Sequence, residues 1–309
     1  MAKSIHRVTT VIRESTMICP GVRQLTLTDP DGWDLPAFTP GAHVDVHLPS
    51  GLIRQYSLCN EPKDRSAYLI AVREDLSGRG GSKEVHNLME GQELHLSLPR
   101  NLFELEGEDP AVMVAGGIGI TPFMSALPQL SWSKRTFCLH MCAPSPNQTP
   151  FFETLAKVPQ VKFHHSSVNN RINFTQLLTE TPATTPIYCC GPNGMIKELC
   201  DLANQSGHTV IVEHFGQNAD PSQKAYEIKI ASSGQIVPVT SGQTMLDALR
   251  QADIEVPASC EGGICLDCKT RYLDGTPEHR DILLPKSERA THLTPCVSGC
   301  RGNQITLDL

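Results

Sequence analysis

The chain has 309 residues, enough for two or three domains, and its 39% hydrophobic and 19% charged content is that of a globular protein. No apolar run approaches the ~18–20 residues that span a bilayer, which argues against a membrane protein, and Arg7, Arg13 and Glu14 interrupt any secretory core at the start, so a cytoplasmic protein is expected. Against 33 acidic side chains there are only 26 basic ones, a net charge of −7 that disfavours nucleic acid as a partner.

Residues 1–105 alternate in short stretches such as His43-Val44-Asp45-Val46-His47-Leu48 and Tyr68-Leu69-Ile70-Ala71-Val72, with glycine- and proline-containing turns between them. Many short strands with frequent turns predict an antiparallel β-barrel. From 106 to 216 the pattern changes. Ala111-Val112-Met113-Val114-Ala115 is apolar on both faces, a glycine loop and a helix from Pro122 follow, and further strands are expected near Thr136–Met141, Ile187–Cys190 and Val210–Val212. Buried strands alternating with helices predict a parallel-sheet α/β domain. Residues 217–224 are polar and read as a linker. A last module, 225–309, has strands at Tyr226–Ile230 and Gln235–Val239. A helix capped by Thr244 follows, its apolar stripe being Met245, Leu246, Ala248, Leu249 and Ala252.

Twelve cysteines in a reducing compartment are not expected as disulfides. Cys260, Cys265 and Cys268 follow the spacing C-x4-C-x2-C, and Cys296 lies 28 positions beyond. Four thiolates so spaced suit a plant-type [2Fe–2S] cluster, three converging from one tight loop and the fourth arriving from a distant strand. Gly262 and Gly263 let that loop curl and turn N–H groups towards the sulfurs. A structural zinc site more often pairs two C-x2-C knuckles, and only one is present. Cys300 reads as a bystander.

Two further segments suit anions. Gly116-Gly117-Ile118-Gly119-Ile120-Thr121-Pro122 follows a buried strand, with Thr121 as N-cap and Pro122 as first helical residue, so a phosphate can approach a helix N-terminus. It lacks the third glycine and the acidic residue of the dinucleotide fingerprint, and an unliganded strand-to-helix turn fits it equally. Gly78-Arg79-Gly80-Gly81-Ser82 reads either as an anion-binding nest or as a hairpin tip. In Arg54-Gln55-Tyr56-Ser57-Leu58 strand alternation sets Arg54, Tyr56 and Leu58 on one face and Gln55 and Ser57 on the other. His140, His164, His165 and His214 show no metal-ligand spacing.

Taken in order, these motifs together with Cys190-Gly191-Pro192 and Met195 resemble the phthalate dioxygenase reductase family over nearly the whole chain. The resemblance implies an FMN-binding barrel, an NAD(P) domain and a C-terminal β-grasp ferredoxin domain. By position, Arg54, Arg79 and Ser82 match the family's FMN phosphate contacts, with Gly80 and Gly81 in the same loop. Tyr56 would pack on the flavin ring, Ser57 near its reactive edge, and Phe215 near its far face. Gly116, Gly117, Gly119, Thr121 and Pro122 match the pyridine-nucleotide loop, and Cys190, Gly191 and Pro192 the nicotinamide side. Ser57, Thr121 and Cys190 are then the positioning residues of the reaction, and Cys260, Cys265, Cys268 and Cys296 the metal ligands. Leu266-Asp267 departs from the smaller residues usual in that loop.

Two arginines facing one phosphate favour FMN over FAD. Cys142-Ala143-Pro144-Ser145-Pro146 offers no cation for an adenosine 2′-phosphate, which favours NADH. The implied activity is electron transfer from NADH through FMN and the [2Fe–2S] cluster to a Rieske-type oxygenase. A di-iron or other monooxygenase as acceptor, or a non-enzymatic zinc-binding or electron-carrier protein, are the alternatives.

Overall fold

The computed structural model describes residues 7–76, 78, 80–105, 110–132, 135–215, 223–258, 261–263, 266–281 and 284–309. The chain divides into two compact units, Met1–Glu213 and His214–Leu309.

The first unit opens with six antiparallel strands: β1 (Arg7–Cys19), β2 (Val22–Thr28), β3 (His43–His47), β4 (Ile53–Ser57), β5 (Tyr68–Arg73) and β6 (Glu93–Ser97). Their order is β4-β3-β6-β1-β2-β5. The Cys59 N–H, just past β4, donates to Leu69 O of β5 at 2.8 Å and so links the two ends of the sheet. The predicted barrel is thus present. Alternation does the sorting. Val44 and Val46 of β3 enter the interior with Leu25, Leu27, Ile70, Leu94 and Leu96, while His43, Asp45 and His47 point the other way. A short helix, α1 (Gly81–Asn87), adds Val85 to that core.

The same unit continues into a parallel sheet. Its strands are β7 (Ala111–Gly116), β8 (Phe137–Ala143), β9 (Val161–His165), β10 (Ile187–Cys190) and β11 (Val210–Glu213), in the order β11-β10-β7-β8-β9. Helices α2 (Thr121–Met124), α3 (Leu127–Trp132), α4 (Phe152–Leu155), α5 (Phe174–Glu180) and α6 (Asn193–Ser206) join them. Burial on both faces explains the unbroken apolar run of β7. Met113 and Ala115 share a cluster with Phe123 and Leu127, whereas Val114 packs with Phe174, Leu177 and Leu199 of α5 and α6. The first of these clusters also takes in Val22, Cys59, Ala71 and Phe103 from the barrel side. Phe103 sets its ring edge-on to Phe123 and Tyr188, at 5.5 and 5.7 Å.

The second unit contains β12 (Tyr226–Ile230), β13 (Ile236–Val239), helix α7 (Met245–Gln251), β14 (Thr270–Asp274), β15 (Pro277–Glu278), β16 (His292–Leu293), β17 (Gly299–Cys300) and β18 (Gln304–Leu307). Five of these strands form one sheet in the order β13-β12-β18-β14-β16, with β12 and β18 parallel and the other pairs antiparallel. This is a β-grasp sheet. Tyr226, Ile228 and Ile230 face inward, and Glu227 and Lys229 face out. As the sequence predicts, the Thr244 hydroxyl accepts the Asp247 N–H at 3.0 Å, and Met245, Leu246, Ala248 and Leu249 are buried.

One local expectation is corrected. The helix after β7 begins a turn before Pro122. Gly117, at φ +56°, swings the chain straight into a 3-10 turn over Gly117–Ile120, so Thr121 is already helical. Its hydroxyl donates to Ile118 O at 3.0 Å instead of accepting an N–H as a cap would. Gly80 and Gly81 likewise form no hairpin tip, because Gly80, in the left-handed conformation, is the N-cap of α1.

Candidate electron-transfer sites

In the parallel sheet the chain runs from β7 outward through β8 and β9, then returns to the other side of β7 for β10 and β11. The crevice beyond the carboxyl ends of β7 and β10 is therefore a topological switch point, where open α/β sheets bind ligands. The two predicted loops meet there. A Cβ on Gly119 would lie 2.2 Å from the Cys190 carbonyl oxygen, and one on Gly116 would lie 2.5 Å from Pro192 Cδ. A Cβ on Gly191 would lie 2.4 Å from Met195 Cε and 3.0 Å from Gly116 Cα. Only glycine lets these two pieces of main chain approach so closely.

Cys190 ends β10 fully buried, between Ala115 of β7 and Glu213 of β11 in the sheet register. Burial first, then the neighbouring Glu213 and Cys189, push its thiol well above the ordinary range, so it is a neutral S–H and no nucleophile. Thr121 and Pro122 are buried at the head of α2. Sequence reasoning passed over Glu213. Its side chain has a buried carboxyl oxygen without a hydrogen-bond partner among the described residues, and burial raises its pKa to about 8. Nothing in a strand-ending Val-Ile-Val-Glu announces that. Arg73 was also missed. It closes β5, and its guanidinium comes within 3.5 Å of where a Cβ on Gly117 would stand.

On the barrel, β4 divides its motif between two faces. Arg54 and Tyr56 pair with Val46 and Val44, and Tyr56 packs against the barrel interior. The Arg54 side chain runs across the start of α1, where a Cβ on Gly81 would strike its Cγ and Nε at 2.7 Å. Arg54 and the Gly80-Gly81-Ser82 corner are therefore brought together. Ser82 Oγ accepts the Asp75 N–H at 2.9 Å, which leaves its own hydrogen to donate. Arg79 lies outside the described residues. Ser57 faces away from the barrel interior and is 4% exposed, its hydroxyl without a partner among the described residues. Cys59, two residues on along that face, belongs to the apolar cluster that contains Ile120 and Cys190. A buried hydroxyl left unspent is costly, and it suits a ring whose edge the hydroxyl would meet. Phe215, just past β11, is 40% exposed.

In the second unit, Cys268 and Cys296 bring their sulfurs to 3.2 Å of each other in the interior. Cys260 and Cys265 lie outside the described residues. Gly263, at φ +73°, holds the loop against Val297 and Asp281. Two converging buried sulfurs fit the thiolate chemistry of an iron–sulfur cluster. Cys300 instead donates its S–H to Gln304 O at 3.5 Å, as a bystander would. Glu261 of the loop is tied to Arg250 of α7 by a 2.7 Å ion pair.

Residues 228–301 match the family of 2Fe-2S iron-sulfur cluster binding domains. Over its length the chain is 39% identical to the vanillate O-demethylase oxidoreductase of Pseudomonas sp. (strain HR199 / DSM 7063), covering 97% of this chain and 99% of that one. It is 35% identical to the phthalate dioxygenase reductase of Burkholderia cepacia, with 96% of each covered. A solved structure of a phthalate dioxygenase reductase, described as modular and built for electron transfer from pyridine nucleotides to [2Fe–2S], matches with a TM-score of 0.87. The two share 34% identity and cover 98% of each other.

Proposed function

Because the chain belongs to the phthalate dioxygenase reductase family, we propose that it carries electrons from NADH through FMN and a [2Fe–2S] cluster to a Rieske-type terminal oxygenase. The observation that carries this reading is the full-length match together with the buried sulfurs of Cys268 and Cys296. When bound, the flavin supplies acceptance of a hydride and the cluster release of single electrons, while the protein supplies orientation and potential.

Each group of residues has its task. Arg54, Arg79 and Ser82 would hold the FMN phosphate, with Gly81 leaving room for the Arg54 side chain and Gly80, at φ +86°, turning the chain into α1. Two guanidinium groups suit a phosphate monoester that carries nearly two charges. Tyr56 would pack on the ring, and the buried Ser57 hydroxyl would meet its edge. Gly116, Gly117, Gly119, Thr121 and Pro122 seat the nucleotide at the switch point. Cys190, Gly191 and Pro192 back the nicotinamide, Cys190 as a neutral, close-packed thiol. No charged side chain stands in Ala143-Pro144-Ser145-Pro146 after β8, which supports NADH over NADPH. Cys260, Cys265, Cys268 and Cys296 hold the cluster.

Anaerobic titration of the purified protein with NADH, followed by absorbance and electron paramagnetic resonance, tests all of this at once. Flavin and cluster bands should bleach together with uptake of roughly three electron equivalents per chain. The flavin released on denaturation should be FMN. A colourless protein that carries zinc would replace this reading with a non-enzymatic one. Turnover with a di-iron oxygenase, but with none of the Rieske type, would change the acceptor.

A further inference from the structure

In the second unit the cysteine loop rests on a buried ion pair. A Cβ on Gly263 would lie 2.7 Å from Val297 Cγ2 and 3.0 Å from Asp281 Cα. Gly263 stands between Cys260 and Cys265 in sequence, and Val297 follows Cys296. Asp281 is thus packed against the segment that carries the cysteines. Its side chain has no exposed surface. Arg289 answers it. Arg289 Nη2 donates to Asp281 Oδ2 at 2.9 Å and to Asp281 O at 3.1 Å, and Arg289 Nε donates to Leu284 O at 3.1 Å. The main-chain oxygen of Arg289 is fixed in turn, accepting from Tyr272 Oη at 3.1 Å and from His279 Nε2 at 3.0 Å. Carboxylate and guanidinium are therefore held in one arrangement.

The pair is not symmetric about the loop. Asp281 touches Gly263, whereas 32% of the Arg289 side chain is exposed. Solvent screens an exposed charge far more than a buried one, so the negative end dominates the field at the loop. Asp281 Oδ1 has no hydrogen-bond partner among the described residues, and His279 Nδ1 stands 3.5 Å from it. Since the other nitrogen of that ring gives its hydrogen to Arg289 O, Nδ1 of the neutral imidazole presents a lone pair and offsets no charge. A buried ion pair contributes little to stability compared with apolar side chains of the same volume, so a charge kept here calls for another role.

We propose that the Asp281–Arg289 pair tunes the reduction potential of the [2Fe–2S] cluster, the buried carboxylate lowering it and the guanidinium partly offsetting that effect. This rests on the cluster reading above. An electron entering the cluster adds negative charge, which a fixed anion nearby opposes, and cluster potentials follow the net charge around them. The consequence is a stronger one-electron donor presented to the acceptor.

A redox titration of the holoprotein tests this, following the electron paramagnetic resonance signal of the reduced cluster at set potentials. All titrations are made at one alkaline pH, so that the charge on His279 does not vary between them. Asp281→Asn keeps an oxygen for Arg289 to bind and removes the charge. It should favour the reduced cluster about tenfold, a rise of about 59 mV for one electron. Arg289→Gln leaves the carboxylate uncompensated and should move the equilibrium the other way, by a smaller factor of about threefold. Removing one partner of a buried pair is destabilising, so iron content and a thermal melt accompany each titration. A merely structural role would lower the melting temperature in both variants without opposite shifts in potential. Shifts of the same sign would therefore overturn the proposal, as would an unmoved potential in an Asp281→Asn protein that retains its iron. If Asp281→Asn loses its cluster, Arg289→Gln decides alone: a downward shift supports the proposal and an unmoved potential overturns it. A wild-type protein that holds no iron is a different failure, that of the cluster reading.

Discussion

At the carboxyl ends of β7 and β10 the chain builds a site almost entirely from main chain. Its side chains are glycines whose missing Cβ atoms let Gly116 and Gly119 press against Pro192 and Cys190. The cysteine end of the second unit is made the opposite way, from side chains, with Cys268 and Cys296 converging on each other and a glycine serving only to bend the loop. A main-chain site tolerates no added atom but leaves a faint trace in sequence. A side-chain site tolerates its loop being rebuilt but not the loss of a single ligand, and its spacing is plain to read.

That contrast can be tested from its strongest consequence downward. Cys296→Ser removes one thiolate, and iron content and the visible cluster absorption should fall to about a tenth or less. Bleaching of the flavin by NADH should stay within about twofold, while electron delivery to any acceptor that depends on the cluster collapses. Loss of flavin bleaching as well would mean that the two sites are not independently built. Gly119→Ala is the complementary change. A methyl group 2.2 Å from the Cys190 carbonyl must force the loops apart, at a cost of about 1–3 kcal/mol, seen as a lower melting temperature. NADH should reduce the flavin at least tenfold more slowly, with the cluster spectrum unchanged.

The smallest effect belongs to Glu213. Its pKa is raised from 4.5 to about 8 by burial, so the folded state keeps a proton that the unfolded chain releases. Stability is therefore lost as pH climbs from about 4.5 towards 8. Glu213→Gln abolishes that slope. Thermal melts at about pH 5 and pH 8 should show the variant gaining several degrees on the wild type across the window. Parallel curves for the two proteins would show that Glu213 is ionised throughout.

Much of this was legible beforehand because it depends on residue type and spacing. The cysteine intervals, the Thr244 cap, the two-faced burial of β7 and the alternation of β3 and β4 all follow from local chemistry. What was not legible depends on neighbours far along the chain. Thr121 looked like a cap because the sequence does not show Gly117 at positive φ starting a 3-10 turn. Glu213 looked like an ordinary polar strand end, since only the sheet order sets it beside Cys190. Asp281 looked like any other loop carboxylate, since only the folded chain presses it against Gly263.

Phe103 lies at the exit of the barrel, yet its ring is seated among Phe123 and Tyr188 of the parallel sheet. Val22, Cys59 and Ala71 extend the same apolar continuum. The barrel and the sheet are thus one cooperative block in the thermodynamic sense. Heat or denaturant should dissolve them in a single transition, and natural or laboratory exchange of modules would have to move residues 1–213 as one inheritable piece.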